Sequence, residues 1–154
     1  MKENPMLTLI QYRLDLAREV LADAKKLLEV QGSPRSIVNR SYYAMFYAVL
    51  AVLATMDLGS AKHSGVIGLF DRHFVKTGLL SKELSKVLHR AFDERQQGDY
   101  GEATVTVDAE DATELLESAE MFLVAIQSYL GNIVNTLKCV LEQNLNPFRI
   151  LFVR

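Results

Sequence analysis

Arg95, Asp99 and Tyr100 sit together in the stretch FDERQQGDYGEA, residues 92–103, and combine a permanent cation, a carboxylate and a phenol. A guanidinium offers a planar fork of donors that matches a carboxylate or a phosphate, and a tyrosine offers both a stacking face and a hydroxyl. Leu84, Leu88, Ala91 and Phe92 precede Arg95 by 11, 7, 4 and 3 residues, so on a helix Arg95 continues an apolar stripe and points inward. An unpaired charge there costs several kcal/mol, so Arg95 needs acceptors. Asp99 and Tyr100 are the nearest in sequence. A second arginine, Arg40, shares a helical face with Tyr43 and Tyr47 at i+3 and i+7. Two inward arginines beside tyrosines describe a basic, aromatic-lined cleft suited to a phosphate or a nucleobase. Each also has a plain structural alternative. Arg40 can lay its stem along the bundle end with its head in water. Arg95 can pair with Asp99 to close a helix that Gly98 stops in a left-handed turn.

His63 lies in KHSG, a Gly/Ser-rich loop, and is either a cap or surface residue or an imidazole brought to the site by the fold. His73 and His89 read as helix-surface or boundary residues. A di-iron bundle needs Glu-x-x-His pairs, but Ser60, Phe70 and Lys86 stand three before the histidines. There is no Cys-x-x-Cys, phosphate-binding glycine loop or nucleophile elbow. No metal and no cofactor are expected.

The elements that position these residues follow from apolar spacing. Leu7, Ile10, Leu14, Ala17, Leu21, Ala24 and Leu28 form one seam of a helix from about Pro5 to Val30, ended by Gly32. Ser33 and Pro34 start a second helix, to about Met56, which beyond Arg40 is apolar nearly all round. That is the pattern of a central helix touched from several sides. A short helix in VIGLFDRHFVKTG stops at Gly78, and a third long helix begins near Ser81. A fourth runs from about Asp108, with Ala112, Leu116, Ala119, Leu123, Ile126 and Leu130 on its seam, to Gly131 and Asn132. Ile133, Leu137, Val140 and Leu141 keep helical spacing in the tail, which breaks at Pro147. The predicted fold is all-α: an antiparallel up-and-down four-helix bundle with a short additional helix, residues 1–131, and a C-terminal helical tail, 132–154.

A chain of 154 residues, 49% hydrophobic and 23% charged, fits one globular domain. Its net charge of −2 gives no global attraction to nucleic acid, so any such role needs a local basic site. Cys139, the single cysteine, excludes an intrachain disulfide and suits a reducing compartment. No signal-peptide core and no apolar run of bilayer length stand out, so a cytoplasmic protein with no membrane partner is expected.

Three segments, RSYYAMFYAVLAVL at 40–53, KHSGVIGLFDRHFVKTGLL at 62–80 and ERQQGDYGEATVTVDAEDATELLESAEMFLVAIQSYL at 94–130, resemble in order and spacing the small prokaryotic proteins of the HEPN superfamily. The resemblance implies a helical bundle that pairs as a homodimer. It further implies a toxin component of a toxin–antitoxin pair acting on RNA, whose antitoxin is a minimal nucleotidyltransferase. Active members are metal-independent endoribonucleases with an arginine followed, four to six residues on, by histidine. Arg95 matches that arginine, but Tyr100, Gly101 and Glu102 occupy the histidine positions. Tyrosine, with a reference pKa near 10, is a poor general base at neutral pH. The location of a catalytic site thus carries over to Arg95, Asp99 and Tyr100, with Arg40, Tyr43 and His63 binding the substrate. The alternative is a non-catalytic HEPN module that holds a nucleotide or the nucleotidyltransferase, with Tyr100 as the residue to which a nucleotide is transferred.

Overall fold

The computed structural model describes residues 4–100 and 106–144, with only the backbone described at 98–100, 141, 143 and 144. Helix α1 spans Pro5–Glu29, α2 Pro34–Ala54, α3 His63–Phe70, α4 Lys82–Tyr100 and α5 Ala109–Asn144, and α3 continues into a π-helical turn, Asp71–Val75. The described residues form no strand. The fold is the all-α bundle expected, with the short helix in its expected place.

Helix starts follow the capping chemistry. The Asn4 side chain accepts from the Met6 amide at 3.0 Å and Ser33 Oγ accepts from the Ser36 amide at 3.1 Å, each just ahead of a proline in the first turn. At the end of α1 the left-handed residue is Gln31, with φ 54°, and not a glycine. Gly32 closes the turn by donating to the Leu27 carbonyl at 2.7 Å. A Cβ on Gly32 would lie 3.0 Å from that same carbonyl oxygen, which is why glycine follows the turn.

The predicted seams are the core. Ile10, Leu14, Ala17, Leu21 and Ala24 of α1 are buried, as are Ala112, Leu116, Ala119, Leu123, Ile126 and Leu130 of α5. Helix α2 packs against α1, α3, α4 and α5, which is why it is apolar on all sides. By length and composition α2 also suffices to cross a membrane, contrary to the sequence expectation. In this fold that surface is covered by its four neighbours.

Two expected helix ends are corrected. Gly98 does not stop α4, which continues to Tyr100, and Gly131 does not stop α5, which continues to Asn144. A glycine inside a helix costs about 1 kcal/mol, which weakens a helix without forbidding it. The short helical segment does end on glycine. Gly78, at φ 78°, donates to the Val75 carbonyl at 3.0 Å.

Candidate functional site

The site forms where the first half of α2, the start of α3 and the last turns of α4 converge. Arg95 leaves α4 on the side facing α2, one turn beyond the buried Ala91 and two beyond Leu88. Its guanidinium carbon lies 5.0 Å from the ring centre of Tyr43 and 5.2 Å from that of Tyr42. A cation over an aromatic face gains about 0.5–1 kcal/mol when exposed and about 2 when desolvated, so the two rings together hold the half-buried side chain in place. Arg40 reaches the same Tyr43 ring at 5.9 Å and, among the described residues, hydrogen-bonds its neighbour Asn39 at 3.1 Å. Arg40 forms no ion pair with a described residue.

His63 is delivered by the first turn of α3. The preceding loop folds tightly: Ser60 Oγ accepts from the Lys62 amide at 3.3 Å, and a Cβ on Gly65 would fall 2.2 Å from Ser60 Oγ. Only glycine permits that approach. The imidazole then stacks on Phe46, centroids 4.2 Å apart and planes at 24°, and meets the Tyr43 ring edge-on at 5.8 Å. Its Nδ1 stands 2.9 Å from the Tyr42 hydroxyl and 3.5 Å from Arg95 Nη1.

These contacts set the protonation states. Burial pushes the Tyr42 phenol well above its ordinary value, against the opposing charge and hydrogen bond of Arg95. Burial, then the Arg95 charge, holds His63 below the ordinary imidazole value. At neutral pH the site is therefore a neutral imidazole and a protonated phenol beside a fixed cation. Its described side chains offer donors and ring faces.

Helix α4 is held against α3 by a separate pair of contacts. Asp71, in the π-helical turn, accepts from Ser85 Oγ at 2.6 Å and lies 2.6 Å from His89 Nε2. His89 is thus a tether between helices.

Of the residues singled out in sequence, Arg40, Tyr43, His63 and Arg95 come together. Asp99 and Tyr100 follow Arg95 on the same helix, and their side chains lie outside the described residues. Sequence reasoning passed over Tyr42 and Phe46, which are lost in the apolar run of α2. Their available signal is chemical: a fully buried phenol requires a hydrogen-bonding partner, and His63 is the partner here. Among the described residues no group of three or more His, Cys, Asp or Glu is placed to hold a metal ion. A wide groove of about 920 Å³ between α1 and α5, lined by Leu7, Leu14, Leu130 and Val134 among others, contains none of the site residues.

Comparison with known proteins agrees with this architecture. A UPF0332 protein of Thermotoga maritima is 45% identical over 125 residues, covering 81% of this chain and 93% of that protein. A Methanocaldococcus jannaschii protein named "Putative toxin" is 41% identical over 127 residues, 79% of this chain and 85% of its own. A second protein of that name from the same organism is 34% identical over 125 residues, 81% and 91%. Residues 10–129, which carry α2, α3, α4 and every residue of the cluster, match the HEPN domain, and the chain belongs to that family.

Proposed function

We propose that this protein is a toxin-type HEPN protein that acts on RNA, gripping the phosphate backbone through Arg95. The carrying observation is the position of the Arg95 guanidinium, 5.0 Å and 5.2 Å from two tyrosine rings and 3.5 Å from the His63 imidazole. Cation, ring faces and imidazole in one cluster fit a phosphate joined to a base. Arg40, which shares the Tyr43 ring, adds a second charge for the backbone. The names of the two archaeal relatives support the toxin role. In this reading the chain works as a homodimer in the cytoplasm, and a minimal nucleotidyltransferase is its antitoxin. The test is incubation of purified protein with single-stranded RNA, scoring binding and cleavage. Both are expected to fall in Arg95→Ala with folding intact, and RNA handled equally well by that variant refutes the proposal.

One observation favours a second reading, a binding module without cleavage. His63 Nδ1 lies 2.9 Å from the Tyr42 hydroxyl, so that nitrogen is already engaged in the resting site. Tyr100 is then the residue to which the nucleotidyltransferase transfers a nucleotide. Mass spectrometry after co-expression separates the two readings: a nucleotide adduct lost in Tyr100→Phe, with no RNA cleavage by the unmodified chain, selects the second.

A further inference from the structure

The His63 imidazole has two neighbours at one nitrogen and none among the described residues at the other. Arginine can only donate, so the group at 3.5 Å from Nδ1 argues against a hydrogen on that nitrogen. Tyrosine can donate or accept, and its hydroxyl at 2.9 Å satisfies a bare Nδ1 by donating. Turning the ring over would set a carbon against the Tyr42 hydroxyl. That would leave the hydrogen of a phenol with 0% of its surface exposed without the His63 acceptor, since Arg95 can only donate to it. Phe46, stacked at 4.2 Å, fixes the plane of the ring.

We infer that Tyr42 is a positioning residue. Its hydroxyl donates to Nδ1, holds His63 as the neutral tautomer with its hydrogen on Nε2, and so presents Nε2–H, on the ring edge away from Arg95, as a donor for an anionic phosphate group. This deepens the RNA reading and uses its site. It separates two roles that the sequence leaves merged: Tyr43 supplies an accessible ring face, while the adjacent Tyr42 is an internal residue that acts only through His63. Burial keeps the Tyr42 phenol protonated, so the donated hydrogen is present throughout the neutral range.

Nitrogen-15 NMR of the labelled full chain near neutral pH tests this directly. His63 is identified by the signals missing from His63→Gln. The expected result is one tautomer, with Nδ1 unprotonated and Nε2 bearing hydrogen. A hydrogen on Nδ1, or a charged ring, overturns the inference. In Tyr42→Phe, which keeps the ring, the His63 nitrogen shifts are expected to move toward tautomer-averaged positions while those of His73 and His89 stay fixed. Unchanged His63 shifts overturn it. Titration with inorganic phosphate is expected to move the Nε2 signal in the wild type and to lose part of that response in Tyr42→Phe, where the Nε2 hydrogen is no longer fixed. An equal response in both proteins overturns the assignment of Nε2–H as the anion donor. Failure of RNA to bind, with the wild-type and Tyr42→Phe signals as expected, refutes the RNA proposal alone.

Discussion

Replacing Arg95 by alanine separates a recognition residue from a structural one. In the fold, the change removes a guanidinium 5.0 Å and 5.2 Å from two rings, each contact contributing about 0.5–1 kcal/mol at partial exposure. Removing the desolvation cost of a half-buried charge offsets part of that loss, so the net cost to stability is about 1 kcal/mol. For a chain of 154 residues this corresponds to a fall in Tm of about 2–4 °C. In RNA binding, the change removes a charge-assisted contact with a phosphate, about 1.5–3 kcal/mol, or roughly 10- to 150-fold in Kd. One fewer neutralised phosphate also lowers the slope of log affinity against log salt by about 0.7 for a single strand. Fluorescence anisotropy with a labelled single-stranded RNA, repeated across a salt series, reads both quantities. Arg95→Lys should keep the slope while losing part of the affinity, because the charge stays and the planar fork is gone. A folded Arg95→Ala protein with wild-type affinity and slope would refute the assignment of this residue to phosphate.

The remaining predictions concern pH, packing and backbone. His63 is held below its ordinary value in the fold, so as pH falls through about 6.5 the unfolded chain takes up a proton first. Wild-type stability should therefore drop on acidification relative to His63→Gln and level off below the folded value, as read by urea melts; parallel curves would contradict the burial argument. Leu88→Ala empties a site with 0% exposure on α4 and should cost about 2–5 kcal/mol by the same melts. Gly78→Ala meets no atom within 4 Å but must hold φ 78°, so a purely conformational loss of about 1 kcal/mol is expected. Gly65→Ala drives a Cβ to 2.2 Å from Ser60 Oγ, so it should shift the His63 NMR signals while leaving those of α5 in place.

Much of the architecture was legible in the chain. The three-and-four spacing in α1 and α5 identifies residues that are buried, because helical periodicity is a local property. Glycines misled at the helix ends. Gly98 and Gly131 have the composition of stops, yet both lie inside helices, since glycine only weakens a helix by about 1 kcal/mol and does not forbid it. At the first loop the left-handed position went to Gln31, with the glycine one residue later. The site divides along the same line. Spacing on α4 marks Arg95 as inward, and spacing on α2 puts Arg40 and Tyr43 on one face.

By itself, then, the sequence determined the all-α class, the buried stripes and the inward turn of Arg95, all of which follow from the period of a single helix. Tertiary structure alone decided that His63 arrives from 32 residues away in the chain to meet Arg95, and that Tyr42, not Tyr43, carries its hydrogen bond. The physical reason is that helical phase says which side a residue is on, whereas the partner on that side depends on how the helices cross.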